Sequence, residues 1–316
     1  KGWQEVSVVE RQIAADGIIT LLLKASDGAA LAPYTAGAHV DVDLGHGVVR
    51  QYSLCSAPHQ EGMYRLGILL SPTSRGGSLR AHAELFTGST LKISPPRNLF
   101  ELVPGAPRSI LLAGGIGITP LLAMAYALRR EARDFVLHYA ARSRTRAAFR
   151  DEILEAFGDV ATIYVDTDGR AGQLDLSRVL GAAGAQDHIY CCGPAGFIDA
   201  VLTAAKAAGW PDDRLHAERF TAAALAETTH FAVTARRSGV DITVARDQTI
   251  LQALLDAGIN VPYSCETGIC GTCITPVVEG QPEHHDHFLT DEEKAANTKI
   301  AVCCSRACSS RLVLDI

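Results

Sequence analysis

From residue 6 to residue 96 the chain runs in short apolar stretches separated by turn residues: 6–12, 18–25, 39–44, 48–54, 64–70 and 90–96. Runs of this length predict β-strands, and so many in series predict an antiparallel barrel or sandwich. One helix is expected among them, over 78–85, opened by Gly76-Gly77. The pattern then changes. Strand-like runs at 109–113, 135–141, 161–166 and 188–193 alternate with helix-like runs at 120–131, 146–157, 175–184 and 195–209. That alternation predicts a parallel sheet covered by helices. A third pattern begins near residue 230: a hairpin in which Phe231, Val233 and Ala235 alternate on one strand and Val240, Ile242 and Val244 on the other, then a helix stopped by Gly258. The expected division is 1–103, 104–222 and 229–316, with 223–228 as a linker.

Composition narrows the classes. The 316 residues are 47% hydrophobic and 20% charged, which is globular composition. The formal net charge is −6, so a general affinity for nucleic acid or an anionic membrane is not expected, since both need a basic face. Residues 109–128 carry no charge over 20 positions, long enough to raise the question of a membrane span. Gly114, Gly115, Gly117 and Pro120 interrupt that run, and a strand, a glycine turn and a helix explain it better. The N-terminal stretch has no apolar signal core, so no secretion address is expected.

Cysteine supplies the strongest chemical signal. Of nine cysteines, six follow residue 260. An odd, clustered set argues against a disulfide scaffold and for a cytoplasmic protein using thiols for metal or redox chemistry. Cys265-x4-Cys270-x2-Cys273 has the spacing of a plant-type [2Fe–2S] loop, with a fourth thiolate from Cys303, Cys304 or Cys308 some thirty residues on. Gly268 and Gly271 would let the loop curl and aim N–H groups at the sulfurs. A structural zinc site fits the triplet poorly. His284, His285 and His287 are read as a solvated loop.

Two further sites are expected. Arg50-Gln51-Tyr52-Ser53-Leu54 closes a strand, and Arg75-Gly76-Gly77-Ser78 opens a helix. A flavin phosphate needs exposed donors and positive charge, which a glycine turn at a helix start supplies. Arg50 and Ser78 would complete the cradle, Tyr52 would lie against the ring and Ser53 would reach its reactive edge. Gly114-Gly115-Ile116-Gly117-Ile118-Thr119-Pro120 sits between a strand and a helix, with Thr119 as the expected cap and Pro120 at the first helical position. Cys192-Gly193-Pro194 ends a later strand at the same edge, and together the two loops would frame a nicotinamide pocket. Arg142 is read either as a cofactor contact or as a surface residue.

In this order the motifs resemble the phthalate dioxygenase reductase family, which includes the vanillate demethylase reductases. The resemblance spans nearly the whole chain. It implies a multidomain α/β-plus-β fold: an antiparallel FMN-binding β-barrel at 1–103, a parallel α/β NAD-binding domain at 104–222 and a C-terminal plant-type ferredoxin (β-grasp) domain at 229–316. It implies FMN, NADH and a [2Fe–2S] cluster as cofactors, and a Rieske-type oxygenase as partner. It selects Cys303 as fourth ligand, because Cys303-Cys304-Ser305-Arg306-Ala307 resembles the closing segment of related reductases. It makes Phe220 an aromatic ring at the flavin face, with a core residue as the alternative, and so places Ser53, Cys192 and Phe220 at the reacting centre. The last 88 residues carry 11 acids and 7 bases, a net −4, which suits docking on a basic patch. Competing readings are an FAD-containing reductase with another acceptor, a redox sensor without turnover, and a zinc-stabilised binding module.

Overall fold

A computed structural model describes residues 2–45, 48–59, 62–71, 76–169, 172–181, 184, 186–220, 230–246 and 248–316. The expected linker, 223–228, lies outside them. The chain divides into two compact units, Lys1–Arg219 and Phe220–Ile316.

The first unit opens with β1 (Gln4–Ala15), β2 (Ile18–Ala25), β3 (Ala38–Asp43), β4 (Val49–Ser53), β5 (Tyr64–Leu69), helix α1 (Gly77–Glu84), β6 (Thr90–Ile93) and β7 (Arg97–Asn98). These strands form an antiparallel sheet in the order β4-β3-β6-β1-β2-β5, with β7 on β3. Leu54, just past β4, bridges Leu66 on β5. That bridge joins the two ends of the sheet and closes it into a barrel, which removes its open edges. Val6, Leu21, Leu23, Val40, Leu54, Leu66 and Ile68 fill the interior.

A five-stranded parallel sheet completes this unit: β8 (Arg108–Gly114), β9 (Asp134–Ala141), β10 (Ala161–Val165), β11 (His188–Cys192) and β12 (Leu215–Glu218), in the order β10-β9-β8-β11-β12. Helices α2 (Ile118–Arg130), α3 (Arg150–Phe157), α4 (Leu176–Gly181) and α5 (Ala195–Ala207) are the crossovers. β8 lies fully buried at the centre and reads as a continuous apolar run, as a strand covered on both faces must. The uncharged stretch 109–128 resolves into β8, a tight turn and α2. No helix among the described residues is long and apolar enough to cross a membrane.

The second unit contains β13 (Phe231–Ala235), β14 (Val240–Val244), α6 (Ile250–Asp256), β15 (Ile274–Glu279), β16 (Pro282–Glu283), α7 (Asp291–Ala296), β17 (Lys299–Ala301), β18 (Arg306–Ala307) and β19 (Arg311–Leu314). The sheet order is β14-β13-β19-β15-β17, with β13 and β19 parallel and the hairpin antiparallel as its alternation requires. Ile250, Leu254, Val233, Leu312 and Leu314 share one core, so α6 packs on the sheet in the manner of a β-grasp. Thr249 caps α6 by accepting the Gln252 N–H at 3.0 Å. Thr290 and Glu293 form a capping box on α7.

Candidate active site

At the end of β4 the structure gathers one expected set. The Arg50 side chain lies against the start of α1. A Cβ at Gly77 would fall 2.6 Å from Arg50 Cγ and 2.7 Å from Nε, so glycine makes the room. Gly76 stands before the helix at φ +93°, and Ser78 Oγ accepts the Ser71 N–H at 3.0 Å. A guanidinium and a glycine-opened helix start therefore lie side by side, donors of the kind a phosphate takes, with Arg50 Nη1 donating to Val49 O at 2.7 Å. Arg75 lies outside the described residues. Tyr52 packs on the barrel core, yet its hydroxyl is buried with no hydrogen-bond partner among the described residues, and burial pushes its pKa up to about 12. An orphaned phenol beside a phosphate cradle fits a flavin that supplies the missing partner. Two neighbours are not brought to the cradle. Gln51 Nε2 donates to Asp41 Oδ1 at 3.2 Å, and Leu54 points into the barrel core while its N–H bonds Ala38 O at 2.9 Å.

The carboxyl edge of the parallel sheet gathers the second set. A Cβ at Gly117 would lie 2.2 Å from the Cys192 carbonyl oxygen, and one at Gly193 would lie 3.0 Å from Gly114 Cα. Residues 114–117 and 192–194 thus meet backbone to backbone. Thr119 does not cap the helix. The tight turn Gly115–Gly117 runs directly into α2, so Gly117 occupies the capping position and Thr119 Oγ1 donates to Ile116 O at 3.0 Å. Pro120 falls two residues later than expected, still within the first turn, where a missing N–H has no partner to lose. Pro194 precedes α5. Arg142 is exposed just beyond β9.

The barrel and the parallel sheet meet at a residue that sequence reasoning left without a role. Ser53 Oγ donates to Glu218 Oε2 at 3.3 Å. Glu218 ends β12 directly opposite Cys192 on β11. All three side chains are buried. Burial raises the Glu218 pKa to about 8, only partly offset by the Ser53 hydrogen bond. Burial also holds the Cys192 thiol well above its ordinary range, with the Glu218 carboxyl adding to the effect. The signal for Glu218 was weak: β12 is a four-residue strand, Leu215–Glu218, too short to show a period. Phe220 follows by two residues and is half-buried.

In the second unit the thiols of Cys265, Cys270, Cys273 and Cys303 crowd together. Cys265 is within hydrogen-bond reach of Cys270 and Cys303, and Cys303 of Cys273. Among the described residues no three His, Cys, Asp or Glu side chains surround a single ion. Four thiols, three on one short loop and one from a later segment, are the donor set that a plant-type [2Fe–2S] cluster takes. Gly268 and Gly271 sit at φ +78° and +71°, the conformation a tight loop requires of glycine. The Thr267 N–H points at Cys265 Sγ, 3.4 Å away. Cys304 is buried beneath Gly268, where an added Cβ would lie 2.5 Å from its sulfur, while Cys308 is exposed. The histidine segment is solvated only in part: His287 is exposed, while His284 and His285 are half-buried. It straps the cluster loop: the His287 N–H bonds Gly268 O at 2.9 Å, Phe288 covers Gly271, and half-buried His284 and His285 face Asp286 and Glu283.

The chain is similar to known proteins along nearly its whole length. Residues 233–308 match the 2Fe-2S iron-sulfur cluster binding domain, and residues 89–215 match the N-terminal domain of the dimethylamine monooxygenase subunit DmmA-like family. The chain is 48% identical to a vanillate O-demethylase oxidoreductase of Pseudomonas sp. over 315 residues, 99% of each chain. It is 41% identical to a tetrachlorobenzoquinone reductase of Sphingobium chlorophenolicum, covering 99% of this chain and 98% of that one. The solved structure described as phthalate dioxygenase reductase, a modular structure for electron transfer from pyridine nucleotides to [2Fe-2S], superimposes with a TM-score of 0.80 at 36% identity, over 100% of this chain and 98% of that one. The chain belongs to the phthalate dioxygenase reductase family of iron–sulfur oxidoreductases.

Proposed function

We propose that this protein is the NADH-dependent reductase of a two-component oxygenase or demethylase system, passing electrons from NADH through FMN and a [2Fe–2S] cluster to a Rieske-type oxygenase. The observation that carries the reading is the meeting of Ser53, Cys192 and Glu218 where the barrel joins the parallel sheet. Flavin accepts one hydride, an electron pair, and the cluster carries single electrons; that chemistry belongs to the cofactors, and the chain binds, orients and tunes them.

In this reading residues 1–103 hold FMN, 104–222 hold NADH and 229–316 hold the cluster, joined by 223–228. Arg50 and Gly76–Ser78 take the flavin phosphate, with Arg75 assigned by the motif alone. Tyr52 and Ser53 border the ring, while Gln51 and Leu54 contribute backbone rather than side chain. Gly114, Gly115, Gly117, Thr119 and Pro120 form the turn for the pyrophosphate, and Cys192, Gly193 and Pro194 border the nicotinamide. Arg142 stands where the dinucleotide leaves the turn. Phe220 is the aromatic ring that nicotinamide displaces. Glu218 holds its proton through neutral pH and, with the Ser53 hydroxyl that donates to it, would set the hydrogen bonding at the ring edge. Cys265, Cys270, Cys273 and Cys303 ligate the cluster. The acidic last unit docks on a basic patch of the oxygenase, in the cytoplasm.

An anaerobic NADH titration tests this. Flavin and cluster bands should bleach together, with about three electrons taken up per chain, two on flavin and one on the cluster. Flavin bleaching alone would overturn the internal transfer, and no colour in a metal-replete preparation would overturn the whole reading. The likeness to a quinone reductase favours one second reading: direct reduction of a small acceptor. Rapid quinone turnover by the reductase without any oxygenase would support it.

A further inference from the structure

We propose that Arg65 and Glu152 are positioning residues for hydride transfer: their ion pair fixes the barrel against the parallel sheet so that flavin and nicotinamide meet in register. The inference rests on flavin binding in the barrel and NADH at the carboxyl edge of the sheet. Two packed halves joined by a polar interface pivot unless they are tied. Hydride transfer tolerates little of that movement, since a misplacement of about 1 Å can cost about 10²-fold in rate. The Ser53–Glu218 contact ties the barrel to the sheet at β12, and one contact alone leaves the barrel free to turn about it.

A second tie lies on the other side of the pyrophosphate turn. β5 carries Arg65, and α3, the crossover from β9 to β10, begins at the carboxyl edge with Glu152 in its first turn. Arg65 Nη1 and Nη2 donate to the two Glu152 oxygens at 2.9 and 2.6 Å, a bidentate fork. Arg65 Nη2 also donates to Cys55 O at 3.0 Å, and Tyr126 Oη on α2 donates to Glu152 Oε1 at 2.7 Å. Between this clamp and the turn the barrel comes close. A Cβ at Gly67, on β5, would lie 2.7 Å from Thr119 Cγ2, at the start of α2. Phe149 precedes α3 at φ +60°, a left-handed conformation that a bulky residue adopts only at a cost. There its ring lies against the Arg65 guanidinium, with the centroid 5.1 Å from Cζ, and Phe149 Cζ is 3.3 Å from where a Gly67 Cβ would stand. The strained residue is the one that seats the barrel. Sheet order puts the Ser53–Glu218 contact at β12 and the clamp at the β9–β10 crossover, with β8 and its turn between them. One tie on each side of the coenzyme stops the pivot. Side-chain exposures of 24% and 27% leave the pair partly open to solvent, so its contribution to stability is modest.

The test uses flavin- and cluster-loaded protein. Glu152→Ala removes the carboxylate and supplies a good helix former. We expect kcat for NADH-to-dye turnover to fall about tenfold or more, with KM for NADH changed by less than about twofold, because no coenzyme contact is lost. The primary isotope effect with NADH deuterated at the transferred position should rise. The long-wavelength absorbance of NAD+ bound to dithionite-reduced protein should fall, since it follows the stacking of the two rings. Arg65→Lys keeps the charge but not the fork and should give the same changes; it carries the test if Glu152→Ala fails to hold flavin. Asp159→Asn breaks the Arg129–Asp159 ion pair, which lies wholly within the parallel-sheet half, and should change none of these readouts. A wild-type isotope effect and absorbance in Glu152→Ala and Arg65→Lys would overturn the proposal. So would equal changes in Asp159→Asn, which would make them a matter of stability. Wild-type protein that oxidises no NADH would instead sink the reductase reading on which this rests.

Discussion

Glu218 is a buried carboxyl at the junction of the barrel and the parallel sheet. It retains its proton to about pH 8, against about 4.5 for an ordinary glutamate, because burial disfavours the charged form. Between those values the unfolded chain gives up this proton and the folded chain keeps it. The group's contribution to stability is therefore present in full below about pH 4.5 and declines as pH rises toward 8. Glu218→Gln should flatten that decline, seen as a smaller loss of Tm between pH 5 and pH 8. If the carboxyl also serves as a proton store, the same variant should lose the limb near pH 8 in the NADH-to-dye rate profile and slow turnover by about 10²-fold or more. A variant with wild-type rate and pH profile would leave Glu218 a structural residue only. At the other end of the chain, Cys303→Ser should abolish the cluster, read as loss of iron and labile sulfide with flavin retained. Cys304→Ser, at a buried thiol assigned no iron, should keep it; the reverse pattern would exchange the two assignments.

The parallel sheet's loops work by close approach of backbone. Gly117→Ala would drive a methyl to 2.2 Å from Cys192 O, a clash with main chain that no rotamer relieves. An overpacking cost of about 1–3 kcal/mol is expected, along with a rise in KM for NADH as the pyrophosphate turn shifts away from β11. Thermal unfolding and steady-state kinetics on the same preparation would show both. A normal KM in a destabilised variant would mean that the turn does not touch the coenzyme. Elements such as β8, α2 and the β13–β14 hairpin were legible in the sequence because their apolar periods are long and clean. Two local details were not. Thr119 looked like a cap from its residue type, and only the tight turn before it shows the helix already under way. The histidine run 284–287 looked solvated because its composition is polar, yet Gly268 and Gly271 leave no side chain of their own, and the strap fills that space.

As a whole molecule the chain carries its acidity unevenly, with −4 of its net −6 in the last 88 residues. Docking by that surface should be screened by salt, since the Debye length falls from about 30 Å at 0.01 M to about 8 Å at 0.15 M. Turnover with an oxygenase partner should therefore weaken several-fold over that range, while NADH-to-dye turnover changes little. Equal salt effects in the two assays would remove electrostatic docking from the account.

The sequence by itself determined the cysteine spacing, the glycine turns, the run of barrel strands and the order of the motifs. These are local properties: a loop's curl, a strand's period and a thiol count depend on neighbours a few residues away. Tertiary structure alone decided which distant residues act together. Ser53 and Glu218 are 165 residues apart and meet only because the barrel packs against the end of β12. Arg65 and Glu152 meet only because β5 of the barrel packs against the first turn of α3. No period or motif encodes such pairings, because sheet order and packing are properties of the folded core rather than of any one segment.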